Sequence, residues 1–354
     1  MSNPEHTFQE LARIFSSRGN QVLEIEIIPP SLGATFLQDG CSVGITKKAL
    51  VQAYTVARAL FFKTLMPMSE DDLQSAILTK AQSTNTVTTI TEVMLLFDCE
   101  HLTACNWRKR RLCAAMAHSN AKDIPNQTPA VTELLEAELT LMSSYQCSPL
   151  HRHTKSPTLW YHRLWVLRHL LERRAWSAEA MLQLQRSELE IILRAGELHP
   201  KNYYAFSYMR QLNALLAERM AGKPDWKAEA ALPIVNRTIE WCLANPRDIS
   251  GWSFGIYELS RVPDYTVRAH ALEKVLTFSL GVGWEGESLW TFVHQAVKQF
   301  GLESVADGMG LCCILETVSK DSPSTQDALQ KKSWQTWLDR ARVYWAVNGQ
   351  NDTS

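Results

Sequence analysis

Near the start of the chain apolar and acidic residues alternate, as Val22-Leu23-Glu24-Ile25-Glu26-Ile27-Ile28, and Pro29-Pro30 closes the run. Period two with a proline stop predicts a short strand or extended arm. After about residue 45 the period lengthens. Between Thr46 and Leu65 the apolar side chains Leu50, Val51, Tyr54, Ala57, Leu60 and Phe61 fall three or four apart, the spacing of one helix face. The same spacing predicts helices over residues 70–81, 87–97, 131–144, 178–195, 227–244, 267–279, 302–318 and 326–347. Turn residues separate them at Pro125, Pro149, Pro200, 222–224, Pro246, Pro263, 281–283 and Pro323. No second strand stands out, so the predicted class is all-α.

The aromatic residues reveal a longer period. There are 12 tryptophans, and all lie at or after Trp107. Five segments align on an anchor residue. They are His101-Leu-Thr-Ala-Cys105-Asn-Trp-Arg108, Ser156-Pro-Thr-Leu-Trp160-Tyr-His-Arg163, Asn202-Tyr-Tyr-Ala-Phe206-Ser-Tyr-Met209, Asp248-Ile-Ser-Gly-Trp252-Ser-Phe-Gly255 and Gly286-Glu-Ser-Leu-Trp290-Thr-Phe-Val293. The anchors recur at intervals of 55, 46, 46 and 38 residues, each long enough for two helices and two turns. That is the period of a helical-hairpin solenoid. The predicted fold is an α-α superhelix, a crescent of hairpins with a short N-terminal extended arm. Its parts are the arm (1–45), lead-in helices (46–98), five repeats (99–300) and C-terminal capping helices (301–354).

Each anchor has a local context. Four residues before three of them stand Ser156, Asn202 and Asp248, all strong helix N-cap types. Pro157 then occupies the first helical position, where its missing N–H costs nothing. The anchor thus falls at about the fourth helical residue, facing a neighbouring helix. One residue before each cap is a base: Lys155, Lys201 and Arg247. A cation there opposes the helix dipole by roughly 0.3–1 kcal/mol. Two explanations stay open. Either an anion sits between base and helix N-terminus, or each basic stem lies over its own anchor ring as a packing and cation–π contact.

Charge narrows the function classes. Lys and Arg number 36 and Asp and Glu 37, a formal net charge of −1. A balanced chain is no generic binder of nucleic acid or anionic membrane. No run of 18 apolar residues occurs, so no spanning helix is predicted, and the polar first ten residues have no signal-peptide core. The eight cysteines (Cys41, Cys99, Cys105, Cys113, Cys147, Cys242, Cys312 and Cys313) form no CxxC pair and read as buried free thiols of a reducing compartment, cytoplasmic or nuclear.

Those aligned segments resemble the repeat of the protein prenyltransferase α-subunit family, which runs approximately [K]-N-Y-x-x-W-[NHS]-x-R-x-x-[LVW]. Lys201-Asn-Tyr-Tyr-Ala-Phe-Ser207 and Leu159-Trp-Tyr-His-Arg163-Leu-Trp165-Val-Leu167 carry the likeness most clearly. Thr103-Ala-Cys-Asn-Trp-Arg108 is similar to a further copy, and the segments around Trp252 and Trp290 complete five over about residues 90–300. The resemblance implies paired helices wrapped around a separate β subunit. That subunit, similar to the type II geranylgeranyltransferase β subunit, would hold the catalytic zinc and the isoprenoid pocket; this chain would bind no cofactor of its own. The implied reaction joins a farnesyl or geranylgeranyl group from a prenyl diphosphate to a cysteine near the C-terminus of a protein substrate. By the same resemblance the α subunit's catalytic groups match Lys155 and Tyr203, with Lys201 and Arg247 as further diphosphate-binding candidates.

Within the resemblance the structural anchors are Cys105 with Trp107, Trp160, Phe206, Trp252 and Trp290, and the inter-repeat polar residues are Asn106, Arg108 and Arg163. Met209, Gly255 and Val293 stand where the family prefers that arginine. Other candidates carry weaker signals. His151-Arg-His153 lacks a third metal ligand and reads as a solvated loop. The run Arg108-Lys-Arg-Arg111 points around a helix, mixing a seam arginine with a solvated face. Glu188-Leu-Glu190 and Glu285-Gly-Glu287 read as surface charge. The alternative function class is a non-catalytic helical-repeat scaffold or adaptor that keeps the fold.

Overall fold

The computed structural model describes residues 3–69, 82–121, 128–150, 152–221 and 226–309. Thirteen α-helices and one small sheet account for most of them, so the class is all-α. The chain opens with α1 (Pro4–Ser17), β1 (Glu24–Ile28), β2 (Phe36–Asp39), β3 (Ser42–Thr46) and α2 (Lys47–Leu60), which runs on into a π turn, Phe61–Leu65. There follow α3 (Gln82–Phe97), α4 (Leu102–Ala121), α5 (Thr128–Gln146), α6 (Pro157–Arg173), α7 (Ala178–Leu198) and α8 (Tyr203–Arg219). Last come α9 (Trp226–Ala244), α10 (Ile249–Arg261), α11 (Tyr265–Gly281), α12 (Glu287–Phe300) and α13 (Glu303–Gly308). The helices expected over 70–81 and 326–347, and most of the one over 302–318, lie outside the described residues.

The N-terminal region departs from a simple arm. Asn3 caps α1 by accepting from the Glu5 N–H, and Phe8, Leu11, Ile14 and Phe15 then bury one face. Of those four only Phe8 lies in the polar first ten residues, and the helical spacing of all four falls within the segment expected as an arm. Two further strands were also missed. β1 pairs in parallel with β3, Glu24 opposite Ser42, and β3 pairs antiparallel with β2, Phe36 opposite Ile45. The alternation before Pro29 runs seven residues, from Val22 to Ile28, whereas β2 and β3 offer only four and five. The outer edge of β1 is closed by a helix. The Leu23 and Ile25 N–H groups donate to Ser144 Oγ and Ser148 Oγ at 2.9 and 2.8 Å, so this edge offers fewer free amides to another chain.

The described residues form two compact units. The first takes residues 1–181 and 190–215, the second 182–189 and residues from 216 on. Within the first, α4 packs on α3, α5 and α6, and α5 packs on α6. Within the second, α10 packs on α9 and α12, and α11 on α9, α12 and α13. Contacts between sequence neighbours (α4 with α5, α5 with α6, α9 with α10) and between next-but-one helices (α4 with α6, α9 with α11, α10 with α12) are those of stacked hairpins. The core of the first unit runs from Phe8 through the sheet residues Ile25 and Ile45 to Val93, Trp107 and Tyr145.

Candidate functional site

The five anchors share one geometry. Cys105, Trp160, Phe206, Trp252 and Trp290 are each the fourth residue of a helix, α4, α6, α8, α10 and α12, and all are buried. Ser156 Oγ accepts from the Leu159 N–H, Asn202 Oδ1 from the Ala205 N–H, and Asp248 Oδ1 from the Ser250 and Gly251 N–H groups. His101 does the same in the first copy, its Nδ1 accepting from the Ala104 N–H, whereas Gly286 leaves the fifth without a side-chain cap.

A second regularity sits behind each indole. Trp160, Trp252 and Trp290 donate through Nε1 to the carbonyls of Thr154, Pro246 and Trp284, always six residues earlier, at 2.8, 3.0 and 2.8 Å. A buried indole N–H needs such an acceptor, and the bond folds the preceding turn onto the anchor. That carbonyl position also ties copies together. In the first copy it is Cys99, which accepts from Ser156 Oγ at 3.1 Å; in the second it is Thr154, which accepts from Asn202 Nδ2 at 2.7 Å. Two N-cap side chains thus bind their own helix and the copy before it. Every residue has a carbonyl, so no sequence signal announces these bonds.

The Thr154–Asn202 bond positions the implied diphosphate residues. Lys155 follows Thr154 and is half-buried, while Lys201 and Tyr203 flank Asn202. Thr154 Oγ1 pairs with His199 Nδ1 at 2.8 Å and fastens the same turn. Lys155, Lys201 and Tyr203 therefore stand at two adjoining helix N-termini, where N–H groups and dipoles favour an anion. Lys201 has φ 61°, the only non-glycine residue with positive φ among those described, and Tyr203 is 58% exposed. Arg247 belongs to the second unit, at the equivalent place before Asp248. Its guanidinium lies 5.9 Å from the Trp284 ring rather than over its own anchor, Trp252.

The inter-repeat residues divide. Arg108 is buried and bidentate to Glu138, with Nε and Nη2 at 2.7 and 2.6 Å, and it donates to Thr91 Oγ1 at 2.8 Å. Glu138 also meets His162 Nε2 at 2.7 Å. Burial opposes the ionisation of Glu138, but Arg108 and His162 outweigh it and hold the carboxyl well below the usual range. Burial likewise disfavours charge on His162, but Cys105 and Glu138 beside it push the imidazole up to about 9. Arg163 donates to Leu139 O and Ser143 Oγ at 3.2 and 3.0 Å, joining α6 to α5. Asn106 is exposed on the first turns of α4. Trp107 is buried in the core beside Cys105.

Several weaker expectations need correction. His153 is no loop residue. It is buried, its Nε2 lies 2.9 Å from Leu95 O, and burial pushes it down to about 4. Glu188 is buried rather than superficial. Cys99, Cys105 and Cys242 are buried free thiols, burial pushing Cys99 up to about 11, but Cys113 is exposed. Among the described residues no group of three His, Cys, Asp or Glu side chains could hold a metal ion, and no helix is long and apolar enough to cross a membrane.

The turn and helix around Phe206 carry the decisive likeness. Residues 186–215 match the protein prenyltransferase alpha subunit repeat. The match includes Lys201, Asn202, Tyr203 and Phe206, the third copy of the aligned series. No curated protein matches the chain. The prenyltransferase-type repeat is thus identified in the copy whose cap, Asn202, reaches back to the second.

Proposed function

We propose that this chain is the α subunit of a heterodimeric protein prenyltransferase, similar to the type III geranylgeranyltransferases. Within the family, its Glu26–Pro29 arm and helical lead-in resemble the prenyltransferase alpha subunit repeat-containing protein 1 type. The observation that carries the reading is the joining of two capped repeat N-termini through Thr154 and Asn202, with Lys155 and Tyr203 on the flanking residues, in a chain that has the prenyltransferase repeat. The partner is a β subunit like that of type II geranylgeranyltransferase, which supplies zinc and the isoprenoid pocket. In the reaction a substrate cysteine sulfur bonds to C1 of the prenyl group, the C–O bond to diphosphate breaks, and the thiol proton is lost.

This chain's part is electrostatic. Charge develops on the departing diphosphate, and preorganised donors and cations aimed there lower the barrier. Lys155 supplies a point cation and Tyr203 a phenol O–H donor. Lys201 and Arg247 add positive charge at their own helix N-termini. The notch between α6 and α8 that Trp160, Tyr161, Tyr204 and Tyr208 line is only about 20 Å³, room for about one water; in this reading the prenyl chain is held by the partner. Cytoplasmic localisation suits the free thiols.

Co-expression with such a β subunit, followed by affinity purification, tests the assembly: a one-to-one complex is expected, and its absence overturns the reading. In that complex Lys155→Ala lowers the rate of prenyl transfer by about 100-fold while the dimer persists. Unchanged transfer with both Lys155→Ala and Tyr203→Phe assigns the chain to the scaffold class instead.

A further inference from the structure

A cavity of about 190 Å³ lies within the first unit, between α1, α3, α4 and α5. Arg18, Glu92, Arg108, Arg111 and Glu138 line it, together with Thr88. Arg108 is fully engaged by Glu138, Thr91 and the Thr88 carbonyl. The other two arginines are not. Among the described residues, Arg18 Nη1 and Arg111 Nε are buried N–H donors with no hydrogen-bond partner. Arg18 is 9% exposed, and its Nη2 reaches Glu92 only at 3.7 Å and Ala137 O at 3.4 Å. Burial and the like charge of Arg108 push Arg111 down to about 10, which leaves it charged at neutral pH.

The wall therefore carries three guanidinium groups against two carboxylates, and His162 behind Glu138 adds positive charge. Buried excess charge and buried donors without acceptors are both unfavourable. A bound oxyanion relieves the two together. Guanidinium forks match phosphate oxygens in planar, bidentate geometry. Water would satisfy the donors but not the charge, and the volume exceeds what one or two waters need.

We propose that this cavity binds phosphate, either as inorganic phosphate or as the phosphate of a small monoester. The anion bridges the end of α1 to α4, so it clamps the N-terminal helix to the first repeat. The site is independent of the prenyltransferase reading, since neither Lys155 nor Tyr203 lines it.

The test is thermal unfolding of the full chain in phosphate against chloride at matched ionic strength. Wild type is expected to gain Tm with phosphate in a saturable manner, as a ligand of the native state does. Arg18→Gln and Arg111→Gln each weaken phosphate binding by about tenfold, the loss of one charge-assisted bond. Glu92→Gln, which removes a repelling carboxylate, strengthens it. If either arginine variant fails to fold, the Glu92→Gln comparison decides by itself. Phosphate assayed after denaturing protein purified without added phosphate, before and after phosphatase, separates free phosphate from a monoester. A phosphate effect equal in wild type and every folded variant is general salting-out and overturns the proposal. So does no effect at all.

Discussion

The first and second copies of the repeat contrast with the fourth and fifth at the position three residues after the anchor. In the first unit that position holds Arg108 and Arg163, buried arginines that reach into α3 and α5. In the second unit it holds Gly255 and Val293. There the seam is aromatic: Trp252 and Phe292 lie 4.8 Å apart between centroids, and a Cβ on Gly255 would stand 3.4 Å from the Phe292 ring. The register of cap, anchor and helix start is the same in both. What varies is the chemistry of the seam, so the repeat geometry does not depend on the arginine.

The strongest lever on that contrast is Arg108→Met. It takes both guanidinium bonds from buried Glu138, leaving it paired with His162, and is expected to cost about 3–5 kcal/mol in chemical denaturation. The paired replacement Arg108→Met with Glu138→Met should recover most of the loss, because it removes the buried carboxylate together with its guanidinium and leaves His162 free to lose its proton. If the pair is as damaging as the single change, the seam is held by shape rather than charge.

In the second unit Gly251→Ala is expected to cost about 1–3 kcal/mol by overpacking. Its Cβ would fall 2.4 Å from Trp241 Cζ3, closer than the ring can accept. The equivalent site in the third copy is already Ala205, so only the fourth copy is this tight. A milder change is Trp252→Phe, which removes the indole bond to Pro246 O and should cost about 1–2 kcal/mol. Phe206 already lives without such a bond, and a loss near zero at Trp252 would make the indole N–H dispensable throughout.

Finally, pH separates two buried histidines of the first unit. His162 is raised in the folded state, so its stabilisation is complete below the ordinary histidine value near 6.5 and fades as pH climbs through about 9. Stability measured from pH 6.5 to 9.5 should fall in wild type, and His162→Gln should flatten that slope. His153, pushed down to about 4, acts in the opposite window: its contribution is present above 6.5 and lost as pH falls through 4.

Much of the fold was legible because its signals are local. The cap types at Ser156, Asn202 and Asp248, the proline at 157 and the anchor four residues on placed the helix starts within the residues found. The first turn of a helix is fixed by the residues within it. The extended run before Pro29 became β1, but β2 and β3 did not show, since β3's pairing with β1 and β2's with β3 supply what their own few residues lack. At the candidate site the sequence pointed to Lys155 and Tyr203 but not to the bond that joins their turns.

The sequence alone determined the all-α class, the period of the repeats and the position of each anchor, because each follows from spacing along one chain. Tertiary structure decided which charges are buried. Arg108 meets a glutamate 30 residues away, His153 sinks against Leu95, and Arg247 lies over Trp284 instead of its own anchor. Burial and pairing depend on what the rest of the chain brings to a residue. The ionisation of Glu138 and His162, and the two unpaired donors of Arg18 and Arg111, exist only once α1, α3, α4, α5 and α6 have packed.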